Sequence, residues 1–128
     1  MRLLLDTHLL LWIAEGSARL SKMARALIND DGNVLMFSAV SIAEVSIKHA
    51  LRRPDFTANP AGLRRGLTDN GYVELPLTSD HAVAVGALPP IHTDPFDRLL
   101  LAQAMAEGIV LLTGDAVLAE YPGPVRVV

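Results

Sequence analysis

The chain has 128 residues, 51% of them hydrophobic, with a mean hydropathy of +0.34. These values suit one compact domain over residues 1–128 and exclude a disordered or solvated segment. A formal net charge of −3 argues against a general polyanion binder, and the absence of cysteine removes disulfides, thiolate metal sites and cysteine nucleophiles.

Leu3 to Leu5 reads as a strand and Thr7 to Ala14 as the start of a helix. Asp6 and His8 interrupt the apolar run and no small-residue cleavage site follows, so a buried strand and helix is expected here and not a signal peptide. Ser21 is a good N-cap for a second helix through Ile28, ended by Asn29-Asp30-Asp31-Gly32. Val34 to Phe37 is a second strand. Ser38 then caps a long helix to Leu51, stopped before Pro54. Asn59-Pro60 opens another helix, which ends at Asp69-Asn70-Gly71. Tyr72 to Leu75 is a third strand, and Ser79 to Ala87 a short helix broken by Pro89-Pro90. Asp94-Pro95 opens a strongly apolar helix to Ala106, which Gly108 ends. Ile109 to Leu112 is a fourth strand, Ala116 to Glu120 a helical turn, and Val125 to Val128 a last strand. Short strands separated by helices imply an α/β fold with parallel pairing and right-handed crossovers. No apolar run approaches bilayer length, so a soluble cytoplasmic protein is expected.

Four acids stand where strands end and helices begin: Asp6, Glu44, Asp97 and Asp115. Each has an ordinary reading beside a functional one. Asp6 can cap the helix at Thr7. Ser41-Ile42-Ala43-Glu44 spells a capping box, although Ser38 competes as the cap and would free Glu44. Glu44 and Lys48 form an i,i+4 pair, or Lys48 meets a phosphate near a metal. Asp94-Pro95-Phe96-Asp97 is ideal helix-start chemistry, yet a capping acid can still present an oxygen to a cation. Asp115 follows the fourth strand at Thr113-Gly114-Asp115 and can cap the turn after it. In a parallel α/β sheet the ends of different strands open onto one crevice. Carboxylates gathered there repel unless a hard cation neutralises them, which points to a divalent-metal site.

Other signals are weaker. His8, His49, His81 and His92 show no metal-ligand spacing, and His8 reads as packing or surface. Trp12 reads as helix packing. Arg52, Arg53, Arg64 and Arg65 are either solvated helix faces or a groove for an RNA backbone. Gly-x-Ser-x-Gly is missing, and no Gly-rich phosphate loop follows a strand.

Leu4-Leu5-Asp6-Thr7-His8, Ser38-Ala39-Val40-Ser41-Ile42-Ala43-Glu44-Val45, the stretch from His92-Thr93-Asp94-Pro95-Phe96-Asp97 to Ala104, and Leu112-Thr113-Gly114-Asp115 together resemble the PIN domain family. More closely, they look like the VapC-type toxins of bacterial toxin–antitoxin systems. The resemblance covers essentially the whole chain. It implies a three-layer α/β/α sandwich whose parallel sheet of about five strands has the order 3-2-1-4-5. It implies a Mg²⁺- or Mn²⁺-dependent endoribonuclease acting on structured RNA, leaving a 5′-phosphate and a 3′-hydroxyl. Asp6, Glu44 and Asp97 match the three core acids and Asp115 the fourth, more variable one. A homodimer and a cognate antitoxin are implied as well. With no histidine pair or lysine base, metal is expected to activate the water, Asp6 and Asp97 holding the main ion and Glu44 and Asp115 holding a second ion or orienting the water.

Two other α/β classes are weighed: one places an Asp at the end of strand one, the other an Asp at the end of strand three, where this chain has Leu75-Pro76-Leu77. A haloacid-dehalogenase phosphatase needs a second Asp two residues on, where His8 stands. A response-regulator receiver needs a lysine near the last strand, and the only lysines are Lys22 and Lys48. The remaining alternative is a non-catalytic module of the same fold that binds RNA or protein.

Overall fold

A computed structural model describes residues 1–128. The short apolar runs form five strands: β1 (Arg2–Leu5), β2 (Val34–Ser38), β3 (Val73–Leu75), β4 (Val110–Thr113) and β5 (Val125–Val127). All pair in parallel, in the order β3-β2-β1-β4-β5. Parallel neighbours need long crossovers, and helices supply them. α1 (Thr7–Glu15) and α2 (Lys22–Asn29) link β1 to β2, and α3 (Ala39–Ala50) and α4 (Pro60–Asp69) link β2 to β3. α5 (Ser79–Val85) and α6 (Pro95–Glu107) lead to β4, and a 3-10 turn (Ala116–Glu120) leads to β5.

Side chains alternate across the sheet and build two cores. Leu3, Leu5, Phe37 and Leu112 point to the face covered by α1, α2 and α4. Leu4, Met36 and Leu111 point to the other, where α6 contributes Leu100, Leu101 and Ala104. The layers are therefore α/β/α, as the resemblance implies. Leu3, Leu4 and Leu5 are all 0% exposed, which explains why the central strand reads as an unbroken apolar run.

Asp6, Ser21, Ser38, Asn59 and Asp94 cap their helices as the sequence predicts. With Ser38 as the cap of α3, the Ser41–Glu44 box does not form. Ser41 instead accepts a hydrogen bond from the Thr7 hydroxyl at 3.0 Å, tying α3 to α1. The third strand starts one residue later than predicted, because the Tyr72 N–H donates to the Leu67 carbonyl at the end of α4. α5 stops at Val85, and Ala87 and Leu88 close tighter turns onto Ala84 and Val85. No helix is long and apolar enough to cross a membrane.

Two glycines test how backbone conformation sets stability here. Gly108 ends α6 at φ +65°, with open space where a Cβ would stand. Gly66 also has open space, but lies inside α4. Gly108→Ala should cost about 1 kcal/mol from left-handed strain alone. Gly66→Ala should gain about 0.5–1 kcal/mol by restricting the unfolded chain. Urea melts of the two variants check the opposite signs.

Candidate active site

All five strands run the same way, so their C-terminal ends share one edge of the sheet. The order reverses at β1, which has β2 on one side and β4 on the other. Leu5 is in register with Leu112, so the residues that follow sit side by side. The Asp6 N–H donates to the Leu112 carbonyl at 3.0 Å. The Thr113 hydroxyl donates to Asp6 Oδ2 at 2.5 Å, and the Leu9 N–H donates to Asp6 Oδ1 at 2.9 Å. Asp6 is only 5% exposed. Burial raises its pKa, against the lowering effect of these hydrogen bonds.

Asp97, in the first turn of α6, lies where the acids converge. Its pKa is raised to about 7, first by burial and then by the charges of Asp94, Asp6 and Glu44. Like-charge repulsion is thus present, as the clustering predicts, but the larger cause is loss of water. Asp115 behaves in the opposite way. Burial acts to raise its pKa, yet hydrogen bonds from His92 and the Val117 N–H outweigh it and hold the carboxyl low.

Glu44 is 2% exposed and projects from α3. Its Oε2 receives the Lys48 ammonium at 2.6 Å, the i,i+4 pair read in the sequence. Its Oε1 is buried with no hydrogen-bond partner. A bare buried carboxylate oxygen is costly. The charges of Glu44 and Asp6 are both felt at Asp97, and carboxylate oxygens of this kind are hard donors that suit Mg²⁺ or Mn²⁺. Asp6 keeps free lone pairs for this despite its hydrogen bonds. Asp94 is the N-cap of α6, its Oδ1 accepting from the Phe96 N–H at 2.8 Å.

His92 is the residue that sequence reasoning missed. Its Nε2 lies 2.9 Å from Asp115 Oδ2 and 3.4 Å from Asp97 Oδ2. The three ligand-type atoms are within 4.8 Å of one another, a group that Asp6 and Glu44 do not join. The Asp94 N–H donates to His92 Nδ1 at 3.0 Å, which leaves the ring hydrogen on Nε2, facing the acids. The His92 N–H is held by the Tyr121 hydroxyl at 2.7 Å. Arg98 also donates to that hydroxyl and to the carbonyls of Val85, Leu88 and Pro89, pinning the loop before α6. No spacing rule finds His92, since its partner Asp115 is 23 residues away. The only local signal is its place two residues before a capping Asp.

The remaining candidates fall into place around this centre. His8 is exposed between the rings of Trp12 and Phe56, at 6.0 and 5.7 Å. With Asp6, Trp12, Arg19, Asp55 and Asp115 it lines a cavity of about 380 Å³. His49 binds the Phe56 carbonyl, and His81 completes the capping box of α5 and pairs with Glu107. Arg64 pairs with Glu74, and Arg52, Arg53 and Arg65 are exposed. A larger cavity, about 700 Å³, lies between α1, α2 and α4. Its lining includes Ile13, Leu35, Leu63 and Tyr72 but no acid, so it is not where the carboxylate chemistry resides.

The sheet order agrees with comparison to known proteins. A family model described as PIN domain matches residues 3–124. The chain belongs to the PIN domain family. Among solved structures it is similar to a chain of VapBC2 from Rickettsia felis bound to a promoter DNA fragment. That match has a TM-score of 0.73 and 16% identity, over 100% of this chain and 99% of that one. It is similar to a chain of a toxin–antitoxin complex from Klebsiella pneumoniae, with TM-score 0.64 and 19% identity over 96% and 94% of the two chains. VapBC-1 from nontypeable Haemophilus influenzae gives 0.63 and 17%, over 94% and 91%. At these identities the likeness is one of fold. No curated protein matches in sequence.

The raised Asp97 pKa has a consequence for stability. Between the unfolded pKa of 3.8 and about 7, the folded protein holds a proton that the unfolded chain has lost. This contribution is complete below the unfolded value and disappears as pH rises through the folded one. The metal-free protein should therefore melt at a lower temperature at pH 8 than at pH 6. Asp97→Asn should flatten that slope and melt higher than wild type at pH 8. Scanning calorimetry in EDTA checks this; an unchanged slope in the variant would show that Asp97 is not the group responsible.

Proposed function

We infer that the protein is a divalent-cation-dependent endoribonuclease, serving as the toxin of a toxin–antitoxin pair. The observation that carries the chemistry is the convergence of acids from separate elements on a largely buried Asp97, beside a Glu44 oxygen that has no partner. A non-catalytic module would gain nothing from such an arrangement, which costs stability.

Asp6, Asp97 and Glu44 Oε1 would hold Mg²⁺ or Mn²⁺, with Asp115 and His92 grouped beside Asp97. Bound there, the cation supplies Lewis acidity at the phosphate and neutralises the acids. Asp115, kept ionised by its hydrogen bonds, would orient the attacking water together with the His92 Nε2–H. In-line attack forms the new P–O bond and breaks the bond to the 3′ oxygen. The products are a 5′-phosphate and a 3′-hydroxyl. His8 and Arg19 in the adjoining cavity would meet the RNA strand. The toxin–antitoxin complexes among the similar structures support a cognate antitoxin as partner; structured RNA as substrate, a homodimer as the working form and the cytoplasm as its place follow from the family resemblance of the sequence.

Cleavage of a structured RNA in Mg²⁺, Mn²⁺ or EDTA tests this, with Asp97→Asn run beside wild type. Asn keeps the size and removes the charge, so the fold should hold: Asp94 remains the cap, and a first-turn charge worth at most about 1 kcal/mol is offset by relieved repulsion. Cleavage should fall at least about a hundredfold, because a neutral amide holds a hard cation poorly. Full cleavage by folded Asp97→Asn would remove this residue from the catalytic set. Cleavage undiminished by EDTA would remove the metal.

A further inference from the structure

We propose that Lys48 is a built-in second cation of this site, so that the acids take one divalent ion and not two. The inference rests on the metal-dependent reading above and specifies how its charge is balanced.

An i,i+4 Lys–Glu pair is ordinarily a solvated contact of small worth. This pair is different in kind. Lys48 Nζ is 2.6 Å from an oxygen of Glu44, whose side chain is 2% exposed, and the Lys48 side chain itself is only 18% exposed. The ammonium lies 4.9 Å from the Phe56 ring centre and 5.4 Å from that of Phe96. Asp94 Oδ2 stands 3.9 Å away. Phe56 comes from the loop after α3, whereas Phe96 stands between Asp94 and Asp97 on α6. Three separate segments thus surround one flexible side chain. Two aromatic faces and two carboxylates are all attractive to a cation, so the ammonium is held against the acids of α3 and α6.

The two oxygens of Glu44 are therefore unequal. Oε2 is committed to Lys48, and Oε1 is bare and buried. In a two-metal site the ions sit about 3.5–4 Å apart and clamp both the attacking and the leaving oxygen. With Oε2 taken, Glu44 has one oxygen for one ion. Lys48 carries a permanent charge on the other side. An ammonium has three donors, and Glu44 uses one of them. Those remaining are free for a phosphate oxygen of the substrate. Lys48 would thus do part of the work of a second metal, with no dependence on the supply of free cation.

Mn²⁺ titration followed by EPR of the free ion tests this on wild type, Lys48→Met and Lys48→Arg, alongside melts with and without Mn²⁺. Wild type should bind one Mn²⁺ per chain. Lys48→Met removes a positive charge beside the acids, so its first Mn²⁺ should bind at least about tenfold tighter. A second Mn²⁺ should then become measurable. The same variant should gain more melting temperature from Mn²⁺ than wild type, since its metal-free form leaves Glu44 uncompensated. Lys48→Arg should keep one ion. Two Mn²⁺ in wild type would overturn the inference and leave the metal-dependent reading standing. So would one Mn²⁺ bound to Lys48→Met with unchanged affinity. No Mn²⁺ in wild type would overturn the metal-dependent reading itself. If Lys48→Met fails to fold, Lys48→Gln takes its place with the same two outcomes.

Discussion

The register that aligns Leu5 with Leu112 is the constraint on which the site depends. It sets the ends of β1 and β4 side by side and makes Asp6 and Thr113 neighbours. Shifting that register by one residue would carry Arg2 or Asp6 into a position now held by a buried leucine of β1. The register is held because both faces of β1 are packed: Leu3, Leu4 and Leu5 have no exposed surface. The same packing that stabilises the sheet therefore fixes a carboxylate at its edge. Negative charge is unwelcome there, as the raised pKa values of Asp6 and Asp97 record. Core burial supplies the stability that lets the fold tolerate it.

Much of this was legible in the sequence. Apolar runs and caps located every strand and helix, because caps act locally and a buried parallel strand has a plain signature. The acids stood out because strand ends converge in this topology. His92 and the aromatic cage of Lys48 were not legible. His92 reaches Asp115 only because Arg98 and Tyr121 hold the intervening loop against α6. The Lys48 cage needs Phe56 from a loop and Phe96 from another helix. Such contacts depend on tertiary packing and leave no periodic trace. The choice between Ser38 and Ser41 as cap of α3 was likewise open until the Thr7 hydroxyl was seen to engage Ser41.

In sequence, a capping acid and a metal ligand look like rival readings of one residue. In the fold they divide between the two oxygens of one carboxyl. Asp94 gives Oδ1 to the Phe96 N–H and turns Oδ2 toward Lys48. Asp115 gives Oδ1 to the Val117 N–H and Oδ2 to His92. Asp6 gives Oδ1 to the Leu9 N–H and Oδ2 to Thr113. Each cap hydrogen bond fixes the carboxyl plane, and so sets which neighbour the second oxygen meets: Thr113, Lys48 or His92. Helix capping is in this sense the means by which the site is preorganised.

The two acids that do not cap carry the imbalance. Asp97 has only the loose 3.4 Å approach of His92, and Glu44 has one oxygen paired and one bare. Asp6, Asp94 and Asp115 each have both oxygens facing a donor or a cation. If the cluster were structural, Asp97 and Glu44 would be the first to be replaced by amides, which would relieve repulsion at no loss of packing. A site that must receive a cation has the reverse requirement. Its uncompensated charge has to remain at the point where the ion enters, and its stability has to come from elsewhere. That is where the unmet charge lies in this fold.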